Sequence, residues 1–392
     1  MDSNRTARRR RGYDVAVVGG GIIGCAAAAI MADRGATVVL VEGSAIGAGA
    51  SGRNLGAIQH PFDPVLAPLY HESLSRYRAL GTAGDHGFRI GSRPAGLLLL
   101  NPDPEAAARQ HARLRAAWPD LEPELLDRDG VAGLEPSLAP GPTGIRLATG
   151  YPVPPAAATE AWARVAEDRG AELLVGVPGR PMLEADRATG ILLDDGTIVE
   201  ADAVLVAAGP WSARLIDPSG TWRPVRPTYG VTLQLRLGVA APRHIVEEDE
   251  VDAINRAEAA TERAAANQGA DDAEPPSLFS IASAAGISTL GSTFLAEEPD
   301  PARIEPLLLR RAARFLPAVA DAEIVGRRMC ARPQSVDGRP FIGPAPGQAG
   351  LFACAGHGPW GISTGPATAA IAARSILDGT PVPLELSATR PI

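Results

Sequence analysis

The sequence predicts an α/β protein: a Rossmann-like dinucleotide-binding sheet carrying an inserted α+β unit built on an antiparallel sheet. Three observations predict it. The stretch from Tyr13 to Glu42, YDVAVVGGGIIGCAAAAIMADRGATVVLVE, holds strand, glycine triplet, helix, strand and acid in that order. Far down the chain, Ala203 to Ala208 is a second apolar run closed by Gly209-Pro210-Trp211, as a strand returning to the same sheet would be. Thr228 to Leu237 and Gly286 to Leu295 read as strands of a separate antiparallel sheet.

Each part of the first segment has a physical task. Val15 to Val18 is short, apolar and β-branched, which suits a buried parallel strand. Gly19, Gly21 and Gly24 follow at G-x-G-x-x-G spacing. The first permits a tight turn, the second lets a pyrophosphate approach the backbone, and the third lets helix and strand pack closely. Cys25 to Ala32 is alanine-rich and helical in composition, and Gly35 suits its C-terminal cap. The helix N-terminus, around Ile22 and Ile23, offers free N–H groups and partial positive charge to phosphates. Thr37 to Val41 is a second buried strand, and Glu42 stands 18 residues beyond Gly24, where a carboxylate accepts hydrogen bonds from ribose hydroxyls. An acid there argues against a 2′-phosphate, and so against NADP.

Bulk properties narrow the classes. At 392 residues the chain is long enough for two or three domains, and at 45% apolar residues it is too hydrophobic for disorder. No apolar run approaches the roughly 20 residues of a membrane span. A net charge of −8 gives no support to nucleic-acid or anionic-membrane partners. Cys25, Cys330 and Cys354 are far apart and form no C-x-x-C, so neither a disulfide framework nor a metal site is expected. All 37 basic residues are arginine. Without lysine, Schiff-base catalysis, pyridoxal phosphate anchoring and a P-loop are excluded. The run Arg8 to Arg11 belongs to a basic tail, residues 1–12, expected to be disordered on a cytoplasmic protein. The apolar segment after it is already the first strand and cannot serve as a cleaved signal.

Further along, GSAIGAGASGRNLGAIQHP ends at Pro61 and would let backbone amides approach a large cofactor. Leu66 to Leu80, Pro104 to Trp118 and Pro154 to Arg169 have helical patterning, the last with prolines at its tolerant first turn. Ala95 to Leu100 and Ala171 to Val177 read as strands, and Asp195-Gly196 marks a hairpin. Glu247 to Pro276 reads as a polar stretch with one exposed helix and a mobile tail, and a helix is expected from Pro366 to Leu377. The nucleotide-binding unit is thus expected in three pieces, 13–90, 145–215 and 325–380, with 91–144 and 216–324 forming the second unit.

Five motifs together resemble the D-amino-acid oxidase superfamily of flavoproteins, with glycine oxidase, the small subunit of D-amino-acid dehydrogenase and monomeric sarcosine oxidase as the nearest branches. They are VVGGGIIG at 17–24, ASGRN at 50–54, VLVAAGPWS at 204–212, ARPQSVDGRPFIG at 331–343 and AGHGPWGISTGPATA at 355–369. The resemblance covers nearly the whole chain. It implies an FAD-binding first domain and a second, cap domain whose sheet roofs the substrate. It implies cofactor contacts from Gly19, Gly21, Ile22, Ile23, Gly24, Glu42, Gly43, Ala50, Ser51, Arg53, Asn54, Val177 and Gly209. It adds Cys330, Gly358, Trp360, Gly361, Ile362 and Ser363 near the ring.

The resemblance casts Arg332 as the arginine that grips a substrate carboxylate, a task that a planar guanidinium fork suits. A structural salt bridge is the plainer reading, and the Pro333 and Asp337-Gly338 context favours the functional one. A Cα–H hydride would pass to flavin N5, with a helix N-terminus near Gly365 facing the flavin N1–C2=O edge. Tyr229 is either a pocket phenol or a sheet tyrosine. His357 fits a structural or an active-site role. His60 either approaches the ring or is a solvated loop residue. Cys330 stands where sarcosine oxidases link cysteine to the flavin 8α-methyl, and otherwise is a small packed thiol. Pro359 replaces a substrate-contacting arginine of glycine oxidase, and with Trp360 it implies a more apolar pocket.

The expected reaction is oxidation of the C–N bond of a small amino acid or N-substituted glycine to an imine. The alternatives are an FAD-dependent 2-hydroxy-acid oxidase or dehydrogenase, and a non-catalytic flavin-binding subunit. An NAD-dependent reductase is disfavoured, because only one G-x-G-x-x-G is followed by an acid. Expected partners are a small carboxylate-bearing substrate and an electron acceptor, either oxygen or a quinone or other carrier. A homo-oligomer is admitted. The missing lysine, which sarcosine oxidases use to activate oxygen, leans towards a dehydrogenase-like or slow oxidase reaction.

Overall fold

The computed structural model describes residues 9–82, 86–249 and 277–391. Residues 1–8, most of the expected basic tail, lie outside them, as does nearly all of the polar stretch expected at 247–276.

The first sheet runs β17 (Phe341–Pro344), β18 (Leu351–Ala355), β11 (Ile198–Val206), β1 (Arg9–Val18), β2 (Val38–Glu42), β8 (Glu172–Val175). All neighbours are parallel except β17 and β18. β9 (Gly179–Glu184) and β10 (Arg187–Leu193) extend it by a hairpin onto β11 through the Asp195-Gly196 turn. β1 begins at Arg9, which pairs with Ile198, so the end of the expected tail is already strand. These parallel strands are continuously apolar because both faces are covered. Val15, Val17 and Leu40 pack under α1 (Ile22–Asp33), α3 (Leu66–Thr82), α6 (Ala157–Asp168) and the C-terminal helix 361–378. Ala16, Val18, Val39 and Val41 pack under the β9–β10 hairpin and α7 (Ser212–Ile216).

The second sheet runs β16 (Glu323–Ser335), β12 (Val225–Arg236), β15 (Ile287–Thr293), β14 (Ser277–Ala284), β13 (Ile245–Glu248), β4 (Leu97–Asn101), β6 (Thr143–Leu147), β5 (Glu124–Leu126). It is antiparallel except where β13 runs parallel to β4. One face buries Val231, Leu233, Phe279, Ile281 and Leu290 against α8 (Pro301–Ala313) and α5 (Arg128–Leu134). Toward the β4–β6 end, the opposite face packs Leu97 and Ile145 under α4 (Pro104–Ala117). β16 lies wholly in this sheet, so residues 325–335, expected in the nucleotide-binding unit, are structurally part of the second sheet. β6 likewise moves 145–147 into it. A short ladder of β3 (Ala57–Ile58) and β7 (Tyr151–Pro152) bridges the two, and α2 (Ala50–Arg53) and α9 (Gly361–Asp378) complete the chain.

Candidate functional site

The carboxyl ends of β1, β2, β11 and β18 and one face of the second sheet enclose a cavity of about 1170 Å³. Open α/β sheets bind ligands at this end, and the volume exceeds the roughly 300–1,000 Å³ of a drug-sized pocket.

On the first-sheet side, the glycine turn is built as its spacing requires. Gly19 has φ +112°, a conformation open to glycine. A Cβ at Gly24 would collide with the Gly19 carbonyl oxygen. Gly21 caps α1 without a side-chain bond, which leaves N-terminal N–H groups of the helix for an anion. The Ile22 N–H donates to Ser51 Oγ at 2.9 Å. Asn54 folds the ASGRN loop by donating to the Ser51 carbonyl at 2.7 Å and accepting from the Gly56 N–H at 2.7 Å. Glu42 is held at the end of β2 by the N–H groups of Gly20, 2.7 Å, and Ser44, 2.8 Å.

Gly19, Gly21, Ile22, Ile23, Glu42, Gly43, Ala50, Ser51, Arg53, Asn54, Gly209, Cys330, Gly358, Trp360, Gly361 and Ile362 all line the cavity. Three expected residues do not. Gly24 is spent on the helix–turn contact. Val177 packs into the core beneath the hairpin. Ser363 is turned to accept the Gln59 N–H at 3.1 Å.

The start of α9 differs from expectation. The helix begins at Gly361, five residues before Pro366, although proline cannot donate to the Ile362 carbonyl. The buried Tyr77 hydroxyl of α3 donates to that carbonyl instead, at 2.6 Å, and Ser73 Oγ accepts the Ala367 N–H at 3.1 Å. Two side chains of α3 therefore fix the helix end that faces the cavity.

Alternation along β16 and β12 puts Arg328, Cys330, Arg332, Gly230 and Thr232 on one face. The Arg332 guanidinium lies across β12, where a Cβ at Gly230 would overlap it. It donates to the Thr293 carbonyl at 2.8 Å and to Ser292 Oγ, and it sits 4.7 Å from the centroid of the Phe294 ring. Among the described residues no carboxylate pairs with it, so the structural salt bridge is absent and donors remain for an anion. Tyr229 is on the cavity wall, with its backbone bonded to Leu295 at 2.7 and 3.0 Å. Arg53 donates to the Met329 carbonyl at 3.0 Å, and Arg328 to Gly52 O at 3.1 Å and Thr289 Oγ1 at 3.2 Å.

His357 is on the wall and buried. Thr368 Oγ1 donates to the Gly365 carbonyl at 2.8 Å, so it accepts from His357 Nε2 at 2.8 Å and leaves Nδ1 as a bare acceptor. Burial lowers the His357 pKa to about 3, so the ring is neutral. His60 is off the cavity, in an aromatic cluster with Phe62, Tyr70, His71 and Trp118. Burial, then His71, lowers its pKa to about 4.

Sequence reasoning missed Gln59 and Glu247, both on the wall. Glu247 is the first residue of the polar stretch expected to carry an exposed helix and a mobile tail. It is instead in β13, 5% exposed and opposite Ser280. Val246 in the core shows the available signal, because period two then turns Ile245 and Glu247 to the other face. Gln59 Nε2 reaches Glu247 at 3.2 and 3.3 Å. With these groups the wall is more polar than Pro359 and Trp360 suggested.

Fold and site define a nucleotide-cofactor enzyme in which a second sheet closes over a Rossmann-type groove. The sequence matches the family model described as FAD dependent oxidoreductase (DAO) over residues 14–375, and the chain belongs to that family. It is 30% identical over 373 residues to the glycine oxidase of Geobacillus kaustophilus (strain HTA426), covering 92% of each chain. The crystal structure of glycine oxidase from Geobacillus kaustophilus superposes with a TM-score of 0.78 at 26% identity, over 98% of this chain and 100% of that one. The iminodiacetate oxidase of Chelativorans sp. BNC1 shares the fold, with a TM-score of 0.79 at 24% identity over 95% and 98% of the two chains. The first turn of α1, to which Gly21 lends no side-chain cap, the glycine turn and the buried bare acceptor of His357 suit the family's FAD. Among the described residues no helix is long and apolar enough to cross a membrane.

Proposed function

We propose that the protein oxidises the C–N bond of a small amino acid or N-substituted glycine to an imine, with Arg332 binding the substrate carboxylate. The observation that carries this is a guanidinium held over the cavity by neutral groups alone, with its remaining donors directed to no described carboxylate. FAD, when bound, supplies the hydride acceptor. The chain's own part is to bind and orient. α1, Glu42 and the ASGRN loop would hold the dinucleotide. Arg332 fixes the acid end by paired hydrogen bonds, the Phe294 face supports the cation, and the second sheet excludes water. The amine needs only its lone pair, so no general base is required, and neutral His357 fits that economy. The named activities of the glycine oxidase relatives support this substrate class.

With no lysine and His357 neutral, arginines are, among the described residues, the only basic groups on the cavity wall that carry charge at neutral pH. That supports a dehydrogenase-like or slow oxidase reaction, with a carrier or oxygen as acceptor. Three buried free thiols are consistent with the reducing cytoplasm.

The test is anaerobic flavin bleaching by glycine, sarcosine, D-alanine and lactate. Amino acids should bleach the flavin and lactate should not. Arg332→Lys should raise the Kd for the amino acid about 10- to 100-fold, since the bidentate fork is lost. Gly230→Ala should do the same without unfolding the protein, because its methyl displaces the flexible end of Arg332. Bleaching by lactate alone, or unchanged binding in both variants, would overturn the reading.

A further inference from the structure

Beside Arg332 the cavity wall carries a small dent. Ser292 and Thr293, which hold the guanidinium through Oγ and the main-chain carbonyl, follow Gly291 on β15. Gly291 has no side chain, and three neighbours close on the place that a Cβ would take. They are Thr232 Cγ2 at 3.3 Å, Ser280 Oγ at 3.5 Å and Leu55 Cδ1 at 3.6 Å. Leu55, Thr232, Ser280 and Ser292 all line the cavity. Gly291 stands opposite Ser280 in register, and extension of the β12–β15 ladder sets it opposite Thr232. The dent is thus one residue wide, with two methyl groups and one hydroxyl on its rim. Thr232 adds a second polar atom, since its Oγ1 is buried without a partner in a residue 2% exposed. A buried hydroxyl of this kind requires a partner.

The place of the dent limits what reaches it. Thr232 lies two residues along β12 from Gly230, which the Arg332 guanidinium covers, a step of about 7 Å at the usual strand rise. With hydrogen bonds of about 2.8 Å at each end, the molecule between them has its second polar group only a few bonds from its carboxylate. The nitrogen and the side chain of a small amino acid both satisfy that, and the rim decides between them. An amine would bury N–H donors against the methyl groups of Thr232 and Leu55, which is unfavourable. A hydroxymethyl group sets its methylene against those methyls and its oxygen between the hydroxyls of Ser280 and Thr232, where it can donate to one and accept from the other. A methyl side chain fills the space but leaves Thr232 Oγ1 unpaired, and glycine leaves the dent empty.

We propose that the dent over Gly291 receives the substrate side chain, and that the preferred substrate is an amino acid with a hydroxymethyl side chain, serine or a close analogue, rather than glycine. This rests on the oxidation of amino acids proposed above, with Arg332 on the carboxylate. Thr232 and Ser280 act here as specificity-determining residues by pairing with the side-chain hydroxyl, and Gly291 by leaving room for it.

The experiment uses the holoenzyme under nitrogen and reads Kd from the concentration dependence of flavin bleaching. The probes are glycine, alanine and serine, the last two as both enantiomers. For the enantiomer that is oxidised, serine should bind about tenfold tighter than alanine or better, since a site built for a substrate hydroxyl rejects the analogue that lacks it. In Gly291→Ala the added methyl takes the dent and meets only side-chain atoms, none nearer than 3.3 Å. The Kd for serine should rise about tenfold or more, while that for glycine stays within about threefold. Thr232→Val keeps the shape of the rim and removes one hydroxyl. It should bring serine and alanine within about threefold of each other, and it gives an independent reading should Gly291→Ala fail to fold. Equal losses for glycine and serine in the variants would put the nitrogen at the dent, and a wild type that binds alanine as tightly as serine would show that the dent takes no hydroxyl. Either result would overturn the inference while leaving amino-acid oxidation standing. A wild-type flavin that no amino acid bleaches would overturn both.

Discussion

His357 shows how one burial decides a protonation state. The ring is 1% exposed, donates to Thr368 from Nε2, and has nothing to stabilise a second proton on Nδ1. Its folded pKa of about 3 lies below the ordinary histidine value of 6.5. The unfolded chain therefore binds more protons over that interval, and stability rises with pH through it. The contribution is complete above about pH 6.5 and is lost as pH falls toward the folded value. His60, lowered to about 4, acts in the same direction. His357→Gln keeps a donor for Thr368 and removes one titration. Urea midpoints measured from pH 7 to pH 4 should then fall less steeply than in the wild type, by up to about 1.4 kcal/mol per pH unit. Equal slopes would mean that the imidazole is protonated in the folded protein.

At the level of elements, the β1–α1–β2 unit was legible from sequence because backbone sterics and chemistry coincide there. A glycine at 19 is required by its positive φ and at 24 by a carbonyl oxygen in the place of a Cβ. Such demands leave a fixed spacing in any sequence that meets them. The start of α9 was not legible, because Pro366 reads as a first-turn proline. Only the tertiary bond from Tyr77 to the Ile362 carbonyl lets the helix run through it. The motif singled out Arg332, which lines the cavity, whereas Glu247 was hidden, since a buried acid inside a polar run looks solvated until pairing with Ser280 turns it inward. The glycine argument yields a test. In Gly24→Ala the methyl meets main chain that cannot rotate away, so α1 must withdraw from the turn. A loss of about 1–3 kcal/mol is expected from overpacking, with a protein purified largely free of flavin. A variant that is yellow and as stable as the wild type in urea would show that the turn has more slack than its geometry indicates.

Across the whole molecule, the first sheet draws its strands from three stretches of chain, β1–β2, β8–β11 and β17–β18, with β1 starting at Arg9, four residues before the expected 13. The second sheet's claim on β16 was not legible, because Arg332 and Cys330 read as a ring-side motif and only register with β12 shows them to be strand. That placement has a mechanical consequence. Among the described residues, polar bonds that join the two sides around the cavity include Arg53 to Met329 O, Arg328 to Gly52 O, the backbone bridge of Gln334 with His357, and Gln59, which reaches Ser363 and Glu247. The interior between them is the cavity itself, so a bound dinucleotide would touch both walls. FAD held without a covalent bond should leave entirely on acid precipitation, with no colour on the pellet, and Cys330 would then be a packed thiol. Apoprotein prepared gently should melt below the holoenzyme and recover when FAD is restored. Ligand at 100 times its Kd adds about 2.7 kcal/mol, a shift of a few degrees for a chain of this size. Calorimetry with increasing FAD should show the midpoint climbing logarithmically with concentration. A midpoint indifferent to FAD would mean that the cavity wall is not the cofactor's seat, and flavin retained on the acid pellet would point to Cys330 as a covalent anchor.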